Sequence, residues 1–310
     1  EPHEPTEEAV PTSDPVVPTA EPEAVPTAEE EYLKITRDWH YDSCYEEAYI
    51  MYGHYNTLNL ESTEYPELTK AVNSYNALLS NEMQAGMDKL EEWGLEEYRE
   101  YGAESFRGPY VLENDTFLRR ADSEVLSAIE NMYEYAGGAH GNKYFGSVNI
   151  DVATGEDLLL EDVIVDFSRL PGILETELKE KYPDVDYWND SLYSMLMEYV
   201  APTSEDYKPL FTWTLDYEGV TFYFSDYEIS SYVDGTQQVT VTYSEYPEIF
   251  KQDFFVGGAE KNYVLQLPDA WRVSDVDWYG DGKTDYISVH RNYTGEGDFC
   301  DSYDVTVNGN

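Results

Sequence analysis

The chain has 310 residues, 41% of them hydrophobic and 15% aromatic, which is enough apolar material for one core of roughly 200 residues plus attachments. Sixty-four acids against 18 bases give a formal net charge of −46. Such a polyanion has no basic stripe with which to release counterions from nucleic acid, and an anionic membrane surface repels it, whereas a cationic protein or a divalent metal is drawn in. Acidity of this kind also serves simply to keep an exported protein soluble.

Residues 1–31 hold seven prolines and ten acids and no Lys or Arg. Val-Pro-Thr-Ala-Glu stands at 17–21 and again at 25–29, and Glu-Ala-Val-Pro-Thr at 8–12 and 23–27. A segment that buries nothing and is stiffened by proline and charge repulsion reads as a disordered stalk. A chain opening on such a stalk at Glu1 is expected to be the displayed part of an exported protein, with its export signal and anchor upstream, as in a surface lipoprotein. No apolar run of 18 residues spans a bilayer.

Ordered sequence begins near Tyr32. Tyr32–Arg37 and the stretch around Ala48–Leu60 carry β-favouring residues and predict a first hairpin. Pro66, suited to a first helical turn, opens a helix whose stripe Leu68, Val72, Tyr75, Leu79, Met83, Met87 and Leu90 runs for about 25 residues. The polar stretch 94–107 either finishes that helix or forms a loop. Strand texture follows at Tyr110–Leu112, Thr116–Arg119, Glu124–Tyr135, Tyr144–Asp151 and Leu158–Val163. Short helices are expected around Arg169–Tyr182 and at Leu192–Val200, then strands at Thr212–Tyr217, Val220–Phe224 and Gln238–Tyr243. This order argues α+β: a largely antiparallel sheet with one long and two short helices packed on it. A small C-terminal β module, 262–310, is expected beyond the main domain, 32–255.

Gly137-Gly138-Ala139-His140-Gly141-Asn142 is a turn that needs positive φ at one or more glycines. His140 invites a His–Asp pairing with Asp151 or Asp226, but no nucleophile is marked and no Gly-x-Ser-x-Gly or HExxH pattern is present. The competing reading makes it a turn residue whose ring bonds a nearby carbonyl. Cys44 and Cys300 are 256 positions apart and have no neighbouring ligand at metal spacing; whether they pair is left open by sequence.

Three segments together resemble a known family. They are Tyr65-Pro66-Glu67-Leu68 leading to Ala71, Asn73 and Asn76; Tyr135–Gly141 continuing to Asn149-Ile150-Asp151 and Thr154-Gly155; and Phe222–Ile229 with Gly235 and Val239–Tyr243. In this order, over about 32–255, they look like the extracytoplasmic domain shared by RsiV-type anti-sigma factors and, outside the catalytic domain, by PdaC-type peptidoglycan deacetylases. The resemblance implies an α+β envelope domain and, in the anti-sigma factor, a lysozyme-binding sensor. This chain lacks the sigma-binding segment, the transmembrane helix and the deacetylase domain, so neither the signalling pathway nor the deacetylase activity transfers. The candidate binding residues are Gly137, Gly138, His140 and Asn142, with Tyr227 of the third segment.

A second candidate site is the acidic run Asp275–Asp285, where Asp275, Asp277, Asp281 and Asp285 with Gly280 and Gly282 could converge on Ca²⁺. Against it, Trp278-Tyr279 occupies the place of a close second acid, and a Gly-Asp-Gly turn between Val273–Val276 and Tyr286–His290 explains the run without a metal. The expected function is a non-enzymatic, extracellular binding or sensing domain for an envelope or host protein ligand, cationic in character and lysozyme-like. The alternative is an accessory module of a cell-wall polysaccharide enzyme, with Trp188, Trp213, Trp271 or Trp278 stacking on sugar rings.

Overall fold

The computed structural model describes residues 33, 35–60, 65–188, 191–200 and 211–255, and the backbone of three further strands within 272–307. The expected stalk, the acidic loop 277–284 and Cys300 lie outside the described residues.

Strands β1 (Ile35–Tyr45) and β2 (Tyr49–Leu60) form the expected antiparallel hairpin, paired from Ile35 opposite Leu60 to Tyr45 opposite Tyr49. Helix α1 (Pro66–Tyr101) follows, 36 residues and about 54 Å long. It is longer than its apolar stripe because the buried line continues through Gly94 and Glu97, which carry no hydrophobic signal. A side chain at Gly94 would meet Ile50 Cγ2 at 2.8 Å, so the missing Cβ is what lets the helix lie against β2. Glu97 is buried because Arg107 and the Tyr110 hydroxyl, 3.0 Å away, hold its carboxylate.

The chain returns through β3 (Tyr110–Ala121), which pairs parallel to β2 across the α1 crossover. β3 is continuous through Glu113–Asp115, where sequence suggested two strands; a bulge between Leu118 and Arg120 breaks only its register. β4 (Val125–Tyr135) and β5 (Asn142–Asp151) complete a five-stranded sheet in the order β1-β2-β3-β4-β5, antiparallel except at β2–β3.

Leu158–Val163, expected as a strand, instead ends in the short helix α2 (Leu160–Val163). Its buried Leu160 and Val163 lie three apart, a helical spacing, but the short apolar run Leu158-Leu159-Leu160 suits a strand or a single helical turn equally. Helices α3 (Leu170–Lys181) and α4 (Leu192–Val200) appear where predicted. β6 (Thr212–Leu215), β7 (Gly219–Phe224) and β8 (Gln237–Thr242) then form a second, antiparallel sheet. Every residue of β7 is buried, as suits a central strand with both faces covered.

One core joins α2–α4 to this second sheet through Leu170, Leu174, Leu178, Leu196, Phe222 and Val241. Two others lie under α1: Leu68 and Val72 against Leu58, Leu118 and Leu126, and Met83 and Met87 against Met51 and Tyr55. A third antiparallel sheet holds β9 (Arg272–Val276), β10 (Asp285–Asn292) and β11 (Ser302–Val307), in the order β11-β10-β9. The architecture is α+β.

Candidate functional site

The β4–β5 turn is built by its glycines. Gly137 has φ +78°, and a Cβ there would stand 2.6 Å from Tyr110 Oη. Gly141 is pressed against the Tyr133 ring, whereas Gly138 is exposed and a Cβ there would make only an ordinary contact, 3.6 Å from His140 O. Tyr135 Oη donates across the turn to Gly138 O (3.2 Å) and to Arg107 O (2.9 Å). The result pushes His140 outward. Asn142, half-buried, opens β5 opposite Glu134.

His140 Nδ1 lies 3.0 Å from Gly141 O, and its Nε2 lies 3.2 Å from Tyr227 Oη. A carbonyl only accepts, so Nδ1 carries the proton, and in the neutral ring Nε2 accepts from the tyrosine hydroxyl. The imidazole stacks on Tyr232, with centroids 3.6 Å apart and planes at 17°. Tyr227 and Tyr232 stack in turn at 5.6 Å. The His–Asp pairing that the sequence invited is formed with neither acid; the ring instead bonds a nearby carbonyl, that of Gly141. Asp151 sits at the far end of β5, about 30 Å along the strand, where it caps the turn at Thr154 (N at 2.8 Å). Asp226 accepts instead from the backbone N–H of Lys143 (2.8 Å).

Tyr227 has φ +66°, the one described non-glycine residue in the left-handed region. An aromatic side chain there costs of order 1–2 kcal/mol, so the surroundings must hold it. They do so on three sides. Asp226 N donates to Lys143 O (3.1 Å), which with the return bond from Lys143 N zips the loop onto the edge of β5. Phe145 N donates to Ser225 Oγ (3.1 Å), extending the same closure of a free sheet edge. Trp188 donates from Nε1 to Tyr227 O (3.2 Å) and from its backbone N to Ile229 O (2.9 Å). Beneath the loop, Glu228 accepts from Ser225 N (2.6 Å) and the Tyr199 hydroxyl (3.0 Å), and burial pushes its carboxyl up from the usual range.

So three of the five residues singled out by sequence, Gly137, His140 and Tyr227, act in one corner, with Gly138 open at its rim and Asn142 at the strand start. Tyr232 and Trp188 belong to the same corner and carried no motif. The only sequence signal for Tyr232 is its position four residues after Glu228 in an aromatic-rich loop. Of the tryptophans proposed to stack on sugars, Trp213 is only 7% exposed and is core, while Trp188 is 42% exposed; Trp271 and Trp278 lie outside the described residues.

For the acidic run, β9 and β10 pair antiparallel with Val276 opposite Asp285, so Asp275 and Asp285 stand near the ends of neighbouring strands. Asp277 and Asp281 fall outside the described residues. Cys44 is a free, half-buried thiol whose pKa is raised by burial and by Glu91.

No helix among the described residues is long and apolar enough to cross a membrane. No curated protein matches the chain. Two of the solved structures that resemble it are members of one family. A member of the DUF3298 family from Bacteroides fragilis NCTC 9343 aligns with a TM-score of 0.54 at 18% identity, covering 72% of this chain and 96% of that one. A DUF3298 family protein from Pseudomonas aeruginosa PAO1 aligns with a TM-score of 0.47 at 18% identity, covering 74% and 99%. The first of these is a likeness of fold. In sequence, residues 156–244, which run from the connection after β5 to just past β8 and include Tyr227 and Tyr232, match the family model of DUF3298, described as a protein of unknown function.

Proposed function

We propose that this chain is a non-enzymatic ligand-binding domain displayed on the outside of a bacterial envelope and anchored upstream of its acidic stalk. Its ligand is a cationic protein of the lysozyme type, and the His140–Tyr227–Tyr232 corner is part of the binding surface. One observation carries the reading: two segments that resemble the extracytoplasmic sensor domain, 135–141 and 222–229, are far apart in sequence yet meet through the 3.2 Å contact between His140 and Tyr227. Tyr227 is held in a costly backbone conformation with its ring exposed, a strain that packing alone gives no reason to keep. The net charge of −46 supplies long-range attraction for a basic partner.

Capture of lysozyme by the immobilised chain tests this. Binding that survives about 0.5 M salt and is lost in Tyr227→Ala supports the reading; binding abolished by salt alone reduces it to generic attraction by a charged surface. The alternative, an accessory module for cell-wall glycans, is favoured by exposed Trp188 beside the corner. Retention of peptidoglycan fragments, weakened in Trp188→Ala, would select it.

A further inference from the structure

Among the described residues, the face of the five-stranded sheet turned away from α1 is covered at one end of β3, β4 and β5. There Phe117 and Ile129 pack on Tyr223, Arg119 clasps Asp216, and Asn149 bonds to Trp213 O. Toward β1 and β2, and across the other end of β3–β5, no described residue covers the same face. Tyr41 lies opposite His54, His54 beside Glu113, Glu113 opposite Tyr133, and Tyr133 opposite Lys143, a single cross-strand row over all five strands. The row is about 19 Å long at the usual strand spacing. At its far end Lys143 is zipped to Asp226, one residue from Tyr227, so it runs into the His140 corner.

The residues of the open end have one chemistry. Trp39 and Tyr41 stand with their rings 6.2 Å apart and at 21°, exposed by 37% and 74%, and both lie within 6 Å of His54. His54 is 3.1 Å from Asp115 Oδ1 and 3.8 Å from Glu113 Oε1, leaving both carboxylates part-exposed. Aromatic faces edged by carboxylates are the surroundings a guanidinium takes: ring quadrupole above, charge-assisted bonds at the rim.

We propose that the β1–β3 part of this row, Tyr41, His54 and Glu113, with Trp39 and Asp115 beside it, is a docking strip for an arginine-bearing segment of a basic partner protein. The molecule already holds one such contact on this face. The Arg37 guanidinium lies 5.2 Å from the Trp39 ring centroid and 5.3 Å from that of Phe117, with Asp115 as its electrostatic partner. Charge decides the class of partner. Glu113 and Asp115, on a chain of net −46, repel anionic glycans and attract bases. This inference rests on the cationic-ligand reading above, and it assigns that ligand a surface.

Calorimetric titration of the full chain with deca-arginine in about 0.15 M salt tests the strip, with three double variants. Trp39→Ala/Tyr41→Ala and Glu113→Gln/Asp115→Asn are each expected to weaken binding about tenfold. Glu92→Gln/Glu96→Gln, which removes the same two charges from the exposed side of α1, is expected to change it less than about twofold. Equal weakening by both charge variants overturns the strip in favour of diffuse attraction. Binding of a neutral chito-oligosaccharide that depends on Trp39 and Tyr41 but not on the carboxylates overturns it in favour of a glycan. The parent reading fails separately: if deca-arginine localises to the strip and lysozyme does not bind, the strip stands and the lysozyme-type ligand falls. Lysozyme binding unaffected by the strip variants has the opposite meaning.

Discussion

One face of the five-stranded sheet shows the same residue types in two situations. At the β3–β5 end, Arg119 and Asp216 form a paired fork of 3.1 and 2.8 Å under the second sheet, and the Thr214 and Thr221 hydroxyls donate to the same carboxylate. At the β1–β2 end, Arg37, Asp115, Glu113 and the rings of Trp39 and Tyr41 meet water. Covered, arginine, carboxylate and aromatic groups must satisfy one another, and their job is to dock two sheets. Uncovered, they keep valences for something else. On the docking proposal above, what separates a structural cluster from a recognition surface is the layer above, not the composition.

The sharpest way to break this contrast is to remove one carboxylate from each end. Asp216→Ala removes the carboxylate that the largely buried Arg119 fork clasps and takes one partner from each of the Thr214 and Thr221 hydroxyls, and it is expected to cost about 3–5 kcal/mol. Asp115→Ala, part-exposed beside His54, is expected to cost no more than about 1 kcal/mol. Urea unfolding of both variants measures the difference, and comparable losses would mean that the open end is as structural as the covered one.

The β4–β5 turn repeats the contrast within two residues. Gly137→Ala forces a side chain into φ +78° and against Tyr110, and a loss of about 2 kcal/mol is expected. Gly138→Ala meets only His140 O at an ordinary 3.6 Å contact and is expected to be within about 0.5 kcal/mol of the parent. Thermal melts of the pair decide it.

These positions also show what was legible in the sequence. Periodicity found α1 because its stripe is long, and it lost the last turns because Gly94 and Glu97 are buried for reasons of close approach and ion pairing. The need for positive φ in the glycine turn was readable, but which glycine supplies it depends on Tyr110 and Tyr133, contributed by strands that the turn itself does not specify. Tyr227 was readable only through a resemblance. The row Tyr41–His54–Glu113–Tyr133 was invisible, since its members come from four strands and one parallel pairing sets their register. Sequence gives each strand its alternation; it does not say which rows line up.

At the corner where the two situations meet, stability and recognition are expected to part. Tyr227→Gly removes the left-handed strain while keeping the carbonyl that Trp188 bonds, so the melting temperature should hold or rise, by up to about 1 kcal/mol equivalent. Binding of the cationic ligand should fall in the same variant. A clear drop in stability would instead show that the tyrosine ring is there for packing.

The smallest expected effect is a pH dependence at the open end. His54 faces Asp115 and Glu113 from β3 and Trp39 and Tyr41 from β1. Its pKa is raised above 6.5, first by the hydrogen bond to Asp115 and then by the charges of Asp115 and Glu113, which outweigh its partial burial. A histidine whose folded pKa lies above its unfolded one contributes stability in full below the unfolded value and loses it as pH rises through the folded value. The parent should therefore exceed His54→Gln in stability below the ordinary histidine value by a margin that shrinks as pH rises through the raised folded pKa. The same protonation occupies Asp115 and Glu113, so deca-arginine affinity should rise with pH over that window while the His54 contribution to stability falls. Opposite slopes for folding and binding are what a surface with carboxylates shared between an internal and an external cation must show. Parallel slopes would place the external cation elsewhere.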